Sequence, residues 1–363
     1  MFIVITRNFP PDIGGIQNLM EGLSKSLANH GSVKVFADVY ANCNDYDQTS
    51  NLDIQRISGF KIFKKFRKAF AVNDYLKNNK VKAIFFDHWK SLEHVNSEHL
   101  NNYTNFCLIH SKEINHPIGS LLNTRMKKIF KKVKYIIANS SYTKNLAIDM
   151  GLDGNKIHII NPGTYYPAEI EKEQAKKAKE IFGQNFPKII TIARLDRRKS
   201  HQNILMTIKN LIPIYPNIKY VCVGDGDEKN NLKNLSKQLG LDQQVIFLPK
   251  TEEKFKIALL NEANLFLMPS IVYKKSVEGF GISFIEAGSY GKGSIGGIAG
   301  GEADAIEDGR TGYLCDGNDL NSIHETILKF FKNDNYKILG LQAKDFSKKF
   351  KWDIIVKQYL SLI

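Results

Sequence analysis

Two glutamates frame a short glycine-containing segment in the second half of the chain. Glu278 and Glu286 stand eight positions apart, and Gly279, Phe280 and Gly281 follow the first of them. Glycine lets backbone N–H groups approach a ligand closely, and a helix beginning there points its positive N-terminal end at that ligand, which favours a phosphate. The spacing therefore predicts a strand–loop–helix junction with a phosphate site, whose second carboxylate lies inside the helix and accepts hydrogen bonds from hydroxyl groups.

Two cations belong to the same half of the chain. Arg194 and Lys199 follow an apolar run at residues 188–193, which reads as a buried strand. In open α/β folds ligands bind beyond the carboxyl ends of parallel strands, where arginine clamps phosphate oxygens in a bidentate manner and lysine adds a point charge. A solvated basic turn is the alternative for the cations alone. Together with the two glutamates they predict a site for a sugar nucleotide.

The first half offers weaker candidates. Gly14 and Gly15 precede a helical pattern, but they do not form the G-x-G-x-x-G dinucleotide fingerprint, and an ordinary tight turn is the alternative. His110 follows a predicted strand at residues 105–109, where it could donate a hydrogen bond to a bound sugar. A structural histidine is the alternative, and His88 is a rival in a similar position.

A glycine-dense segment at residues 294–306 is open to two interpretations. It contains two Gly-Gly pairs and is followed by a turn that leads into a short strand. It reads either as a tight strand-to-helix passage beneath a phosphate or as a flexible surface loop.

The chain length of 363 residues predicts two domains. Short apolar runs alternate with helical patterns, which indicates parallel βαβ units and an α/β fold. The turn at residues 161–163, followed by a polar helical stretch at 169–179, marks the boundary. The predicted strands are residues 2–6, 33–40, 83–87, 105–109 and 135–139 in the first half, and 188–193, 220–224, 245–248, 265–268 and 294–297 in the second.

Bulk properties narrow the class. A net charge of +14 suits phosphorylated substrates, an anionic membrane surface or nucleic acid, although compositional drift explains it equally well. The four cysteines are scattered without a C-x-x-C pair, so neither a metal site nor a disulfide framework is predicted. The start does not read as a signal peptide, and no apolar run reaches the roughly 20 residues of a membrane span. We therefore expect a cytoplasmic protein.

Taken in order, these motifs resemble the retaining glycosyltransferases of the GT-B fold in family 4, which include bacterial mannosyltransferases, sucrose synthases and glycogen synthases. Single motifs are weak, but eight of them occur in family order over nearly the whole chain. They are the Gly14-Gly15 loop, the His110 region, residues 137–143 and 160–163, Arg194 with Lys199, residues 223–226, Glu278 with Glu286, and residues 308–312.

The resemblance implies two Rossmann-like parallel-sheet domains facing across a cleft. Residues 1–165 would bind the acceptor, residues 166–349 would bind the nucleotide-sugar donor, and a C-terminal helix at 350–363 would cross back to the first domain. The chain looks most similar to GDP-mannose-dependent mannosyltransferases that modify membrane lipids or growing polysaccharides. The implied activity is hexose transfer to a lipid-linked or polysaccharide acceptor in cell-envelope glycan synthesis, such as lipopolysaccharide synthesis, without a metal or other cofactor.

The resemblance also implies roles for the matched donor-side residues. Arg194 and Lys199 would neutralise the leaving diphosphate. Glu286 would hold the ribose hydroxyls, and Glu278 with the backbone of residues 279–281 would contact the transferred sugar. Preorganised cations of this kind stabilise the charge that develops on a leaving group.

On the acceptor side His110 would bond the sugar, and Gly15 would lie against the diphosphate or the acceptor. Three positions depart from the family pattern. Ser111 replaces a common glycine, Tyr165 replaces the usual aspartate and Gly293 stands where proline is usual. We expect the first and third to loosen or reshape the donor pocket without abolishing activity.

Two basic stretches lie in the first half, at residues 60–70 and 125–134. The first has five cations, four phenylalanines and no acidic residue, and its helical spacing puts three phenylalanines on one face. A basic amphipathic helix binds an anionic membrane surface, which predicts a peripheral protein on the inner face of the membrane. The alternative, a surface helix whose apolar residues face the core, is favoured for the second stretch. The cations expected to contact the membrane are Lys64, Lys65, Arg67 and Lys68.

Other functions stay open at this point. A UDP-sugar-dependent transferase of the same family would use the same residues, and a sugar-nucleotide epimerase of the same architecture would need no acceptor. A sugar-binding protein without chemistry is normally exported, and we see no leader for it. Nucleic-acid binding is disfavoured because the aromatic residues do not follow an RNA-binding pattern.

Overall fold

A computed structural model describes residues 1–12 and 14–363, with the side chains of residues 61 and 62 outside the description. Ile13 of the Gly-Gly loop and Lys61 of the first basic stretch therefore lie outside the described residues or side chains. The chain divides into two compact units. The first comprises Met1–Thr164 with Lys351–Ile363, and the second comprises Tyr165–Phe350. Relative to the predicted boundaries, Tyr165 and Phe350 belong to the second unit.

The first unit is built on a parallel sheet of seven strands in the order β3-β2-β1-β4-β5-β6-β7. Its core follows the strand order of a doubly wound α/β fold. The strands are β1 (Phe2–Ile5), β2 (Val33–Asp38), β3 (Asp53–Ile57), β4 (Ala83–Phe86), β5 (Thr104–Ile109), β6 (Tyr135–Ala138) and β7 (Ile157–Ile159). The helices are α1 (Gly15–Ala28), α2 (Cys43–Thr49), α3 (Lys61–Asn78), α4 (Trp89–Leu92), α5 (Ser97–Asn102), α6 (Leu121–Phe130) and α7 (Ser141–Asp149).

The second unit has a parallel sheet of six strands in the order β10-β9-β8-β11-β12-β13. Its strands are β8 (Lys188–Ile192), β9 (Lys219–Val223), β10 (Val245–Leu248), β11 (Leu265–Met268), β12 (Gly293–Gly297) and β13 (Gly312–Cys315). Its helices are α8 (Lys172–Phe182), α9 (His201–Leu211), α10 (Lys229–Gln238), α11 (Glu253–Glu262), α12 (Ile282–Ser289), α13 (Leu320–Phe331) and α14 (Asn335–Ser347).

Each sheet is covered on both faces, which explains why its inner strands read as continuous apolar runs. In β1, Ile3 and Ile5 enter one core cluster of the first unit, while Phe2 and Val4 enter the other. The second unit likewise has one cluster on each side of its sheet. The predicted α/β class with parallel sheets is confirmed.

The last helix, α15 (Trp352–Leu360), packs on α1 and belongs to the first unit. Trp352 is buried, and its indole fills space that two glycines leave, because a Cβ at Gly22 or Gly163 would clash with the ring. Its backbone N–H donates to the carbonyl of Thr164 at 3.3 Å. The predicted return of the C-terminal helix to the first domain is confirmed.

Candidate active site

Arg194 lies in the loop that follows β8, and close backbone contacts hold that loop in place. The turn after β9 carries Gly224 and Gly226, and a Cβ on either would clash with backbone atoms of residues 193–195. Across this contact the N–H of Leu195 donates to the carbonyl of Asp225 at 2.9 Å. Glycine is therefore required here because two backbones meet without room for a side chain. The contact fixes the base of the Arg194 loop.

Lys199 and Glu278 form an ion pair at the carboxyl ends of β8 and β11. Lys199 is buried, and its ammonium contacts the Glu278 carboxylate and approaches the sulfur of Met268 at 3.1 Å. Arg198 donates to the same carboxylate at 2.5 Å. The structure thus brings together two of the predicted residues and adds Arg198, to which the sequence interpretation gave no role although it adjoins Lys199.

The charges of this cluster are held firmly. Burial alone would raise the pKa of Glu278, but the charges and hydrogen bonds of Lys199 and Arg198 lower it to about 2. The carboxylate is therefore ionised at any physiological pH and oriented by two donors. Arg194 contrasts with it, because its side chain is 69% exposed and its Nε lies 3.5 Å from the carboxylate of Asp196. Arg194 can reach an incoming anion with little rearrangement.

The segment after Glu278 leads into a helix, as predicted. Gly281 has a positive φ of 87° and precedes α12, a conformation that suits glycine. The ring of Phe280 is buried beside Phe350, so only its backbone is available to a ligand. Glu286 lies inside α12 and pairs with Lys256 at 3.0 Å, while Glu278 pairs with other cations. The two glutamates therefore have separate sets of partners, and Lys256 was not foreseen.

The glycine-dense segment is a tight passage, and its interpretation as a flexible loop is wrong. A Cβ on Gly297 would clash with the Ser270 carbonyl, and one on Gly300 would clash with the Glu278 carbonyl. Gly293, the position usually held by proline, is packed just as closely, because a Cβ there would lie 2.9 Å from the ring of Phe330. Side chains of the surrounding core fill the space around this glycine, which argues against the looser donor pocket that we expected.

The two candidate histidines, His88 and His110, have different surroundings. The Nδ1 of His88 accepts from the N–H of Lys90 at 2.9 Å and caps α4, and burial lowers the pKa of His88 to about 3. His88 is therefore a neutral structural residue. His110 is half-buried at the end of β5, and its Nε2 lies 3.2 Å from the carbonyl of Asp87. The next residue, Ser111, has a φ of 96°, a conformation that favours glycine.

Gly14 and Gly15 stand at the start of α1. Gly14 has extended backbone, and α1 begins at Gly15 without a side-chain cap or an acidic residue in its first turn among the described residues. A Cβ on Gly15 would meet nothing within 4 Å, so the space beside this N-terminus is open. Its contact with a diphosphate or an acceptor stays a prediction.

The first basic stretch forms the start of α3 and exposes its phenylalanines. Phe63, Phe66 and Phe70 are 62%, 48% and 73% exposed, whereas Ala69, Val72 and Leu76 on the opposite side pack into the core. The phenylalanines therefore face away from the core. The alternative in which they face it is wrong for this stretch.

One of the four cations assigned to the membrane side was assigned wrongly. Lys68 is buried, its ammonium contacts the carboxylate of Asp38, and it donates to the carbonyl of Thr6 at 2.5 Å. It lies on the side of α3 that packs on the sheet. The ammonium of Lys64 lies 3.7 Å from the Asp38 carboxylate and that of Lys65 lies 3.8 Å from the Glu93 carboxylate, but both side chains stay partly exposed. Arg67 is exposed.

The second basic stretch follows its favoured interpretation. Met126, Ile129, Phe130 and Val133 are all buried in the core of the first unit. Over residues 1–12 and 14–363, no helix is both long and apolar enough to cross a bilayer.

Two family descriptions match consecutive parts of the chain. Residues 13–164 match "Glycosyltransferase Family 4", and residues 172–349 match "Glycosyl transferases group 1". The chain belongs to the glycosyltransferases. This glycosyltransferase is 29% identical over 291 residues to an uncharacterised glycosyltransferase of Methanocaldococcus jannaschii, covering 78% of this chain and 68% of that protein. It is 23% identical over 337 residues to a GDP-mannose-dependent monoacylated alpha-(1-6)-phosphatidylinositol monomannoside mannosyltransferase of Corynebacterium glutamicum, covering 90% and 87%.

Solved structures share the fold of the glycosyltransferase at low sequence identity. Anabaena HepE in complex with UDP and glucose superimposes with a TM-score of 0.81 at 16% identity, covering 100% of this chain and 99% of that one. Sucrose-phosphate synthase from Thermosynechococcus elongatus gives a TM-score of 0.79 at 18% identity, covering 99% and 98%. The predicted GT-B fold is confirmed.

Proposed function

We propose that this glycosyltransferase moves a hexose, mannose, from GDP-mannose to a lipid-linked or polysaccharide acceptor in cell-envelope glycan synthesis, with retention of the anomeric configuration. The observation that carries the donor part is the pair of features beyond the carboxyl ends of β8 and β11, namely the exposed Arg194 in the loop after β8 and the buried Lys199–Glu278 ion pair. Parallel sheets bind their ligands at this edge. The mannosyl donor is supported by relatives named as GDP-mannose-dependent enzymes.

The chemistry follows from the fixed charges. Arg194 and Lys199 neutralise the leaving diphosphate, which carries most of the negative charge that develops when the glycosidic bond breaks. Glu278, ionised and held by Arg198, accepts hydrogen bonds from hydroxyls of the transferred sugar. Since cations of the protein supply the charge stabilisation, the reaction as proposed uses no metal ion. Glu286 holds the ribose, with Lys256 restraining its carboxylate.

The remaining roles lie in the first unit. His110 hydrogen-bonds the sugar through Nδ1, because its Nε2 lies against the carbonyl of Asp87. Gly14 and Gly15 allow the backbone of α1 to approach the acceptor or the diphosphate. A UDP-sugar donor is the second candidate, and the UDP held by Anabaena HepE, a structural neighbour, favours it. A sugar-nucleotide epimerase would bind the same donor without an acceptor.

A donor-binding experiment tests this function. Thermal unfolding is measured with GDP, UDP, ADP and their sugar conjugates, for wild type, Arg194→Ala and the control Arg310→Ala. Arg310 is also exposed and pairs with Glu307 in its own turn at 2.5 Å. A ligand at 100 times its Kd adds about 2.7 kcal/mol of stability.

Three outcomes separate the candidates. A shift with GDP and GDP-mannose that Arg194→Ala loses and Arg310→Ala keeps supports the mannosyl donor. A shift with UDP compounds alone keeps the activity and overturns the donor. The absence of any shift in the wild type contradicts the proposed function, and conversion of a sugar nucleotide without acceptor favours the epimerase.

The acceptor side of the proposal involves an anionic membrane, at whose inner face the enzyme would lie as a peripheral protein. Its support is the outward row of phenylalanines on α3 together with the exposed Arg67. An open groove of about 660 Å³ runs beside Phe66 and Phe70, between α3 and the edge strand β3, and offers room for lipid. Apolar rings flanked by cations bind the boundary between headgroups and acyl chains.

The exposed apolar surface continues at the start of α6. Leu121 and Leu122 are exposed there, and Glu93 links the two helices by contacting Lys65 of α3 and Arg125 of α6. Both helices therefore present apolar side chains next to cations within the first unit. A lipid-linked acceptor would be reached at such a surface without leaving the bilayer.

A further inference from the structure

Glu302 is a fully buried carboxyl group beside the Lys199–Glu278 pair. It lies in a single 3-10 turn, Gly301–Asp304, that follows β12, and its exposed fraction is 0%. One carboxyl oxygen, Oε1, accepts only a long hydrogen bond of 3.4 Å from the N–H of Ser270. The other, Oε2, makes no hydrogen bond of good geometry in the part of the chain that the structure describes, although the backbone N–H of Gly297 acts on the carboxyl group.

The glycines around Glu302 place it there. A Cβ on Gly297 would lie 2.8 Å from Oε2, so a side chain at that position would displace the carboxyl. The N–H of Gly301 donates to the carbonyl of Glu278 at 2.8 Å, which ties the turn to the backbone of the donor-site glutamate. The glycine-dense segment therefore brings a second carboxyl group close to Glu278.

The groups that face Glu302 decide its charge. Burial raises the pKa of Glu302 most and the negative charge of Glu278 raises it further, while Lys199 and hydrogen bonds from Ser270 and from the backbone N–H of Gly297 lower it, with a result of about 8. The positive charge of Arg198 also interacts with Glu302. Burial, and after it the charge of Glu302, raises the pKa of the buried Cys315 thiol to about 12. A carboxylate without a contacting cation is costly to bury, so the neutral acid is the form that suits this site.

We propose that Glu302 is a positioning residue that stays protonated and thereby leaves the donor site with a net positive charge. This rests on the proposed binding of a nucleoside diphosphate at Arg194 and Lys199. Arg198 and Lys199 carry two positive charges and Glu278 one negative charge, so one positive charge is in excess while Glu302 is neutral. If Glu302 ionises, the excess disappears and the diphosphate meets a neutral cluster in addition to Arg194.

The test compares wild type with the isosteric Glu302→Gln variant, using Glu325→Gln as control because Glu325 is exposed on α13. Binding of GDP and of UDP is measured between pH 6.5 and 9.5. We expect equal affinities for all three proteins at pH 6.5. Above pH 8 the affinity of the wild type and the control should fall by about tenfold relative to Glu302→Gln, because a buried charge that appears within several ångströms acts through a low effective dielectric.

A second measurement needs no variant. Because a bound diphosphate favours protonated Glu302, nucleotide binding to the wild type near pH 8 should take up a fraction of a proton. Calorimetry in two buffers of different ionisation enthalpy measures this uptake. Identical pH profiles for wild type and Glu302→Gln, or binding without proton uptake, would overturn the inference.

Failure of the proposed function looks different. If neither GDP nor UDP binds the wild type at pH 6.5, the donor site itself is refuted, and with it the influence of Glu302 on the donor. Thermal unfolding without ligand then still tests whether Glu302 is protonated. The wild type should lose stability between pH 5 and pH 8 relative to Glu302→Gln, and parallel curves would show that Glu302 is not a neutral acid.

Discussion

Replacing the outward phenylalanines of α3 should release the enzyme from anionic vesicles. The double variant Phe63→Ser, Phe70→Ser removes two rings that are 62% and 73% exposed and so have few contacts to lose within the fold. We expect its stability to stay close to that of the wild type. The effect on membrane binding should be large because these two rings are the most exposed phenylalanines among the described side chains of α3.

The magnitude follows from the exposed area. A phenylalanine buries about 150–250 Å² when it is fully enclosed, so the exposed parts of these two rings offer roughly 100–180 Å² each. At about 25 cal/mol per Å², insertion of half of that area stabilises binding by about 1–2 kcal/mol per ring. Loss of both rings should therefore weaken vesicle binding by about 2–4 kcal/mol, or roughly 30- to 700-fold.

The assay is co-sedimentation with vesicles that contain phosphatidylserine or phosphatidylglycerol, at two salt concentrations. Leu341→Ser is the matched control, because Leu341 is 71% exposed on α14 of the second unit. Arg67→Glu tests the charge separately. It should weaken vesicle binding by about 1 kcal/mol for the positive charge that is lost, and by less at high salt. Unchanged binding by the double variant, or an equal loss in Leu341→Ser, would refute α3 as the membrane-binding surface.

Four further results are expected from the contacts within each unit. Lys68→Ala should lower the free energy of unfolding by about 3 kcal/mol in urea titrations, because it leaves Asp38 without its buried partner, and a change below 1 kcal/mol would contradict this. Since the pKa of Glu278 is lowered to about 2, the ionised carboxylate should stabilise the fold fully above pH 4.5, and this stabilisation should disappear as the pH falls toward 2. The free energy of unfolding should then drop by at most about 3 kcal/mol in the wild type, a loss that Glu278→Gln should not show. Since the pKa of Glu302 is raised to about 8, its contribution to the free energy of unfolding should be complete below pH 4.5 and decline by up to about 1.4 kcal/mol per pH unit until pH 8. Denaturant titrations across that range should give a flatter slope for Glu302→Gln. Ser111→Gly should raise the melting temperature by relieving about 1 kcal/mol of backbone strain, and a lower melting temperature would show that its side chain outweighs the strain.

Most of the strands that sequence patterns predicted are buried on both faces, and the edge strand β10 was predicted as well, from its apolar run. A continuous apolar run such as β4 or β11 fits only the interior of the fold, so a buried strand and its position could be predicted directly from it. The two edge strands of the first unit lack that pattern. β3 has alternating exposed residues and β7 is only three residues long, and both were missed because half of their surface faces solvent.

For the candidate site, charged residues next to a predicted strand end could be proposed from the sequence, and the residues that packing brings against them could not. Arg194, Lys199 and Glu278 could be chosen because each follows an apolar run. Glu302 depends on a contact with Ser270, and Lys256 meets Glu286 from a different helix. Such pairs join elements distant in sequence, and one sequence has no pattern that specifies them.

Helical periodicity was informative about apolar side chains and misleading about a charged one. The spacing of the phenylalanines on α3 identified their common face correctly. Lys68 belongs to the same basic run, but Asp38 and the carbonyl of Thr6 stabilise it on the inner side. A cation with a buried partner cannot be separated by composition from cations that face solvent.

The return of α15 to the first unit affects the order in which the protein can mature on the ribosome. The core of the first unit includes Trp352, Ile355 and Tyr359, so it stays incomplete while the intervening residues 165–350 are translated, roughly 10–40 s at usual elongation rates. The second unit is continuous and can finish folding first, although its first residue is made later. The unit that emerges earliest is thus the last to close, and during that delay the apolar surface around Gly22 and Gly163 is a natural target for chaperones.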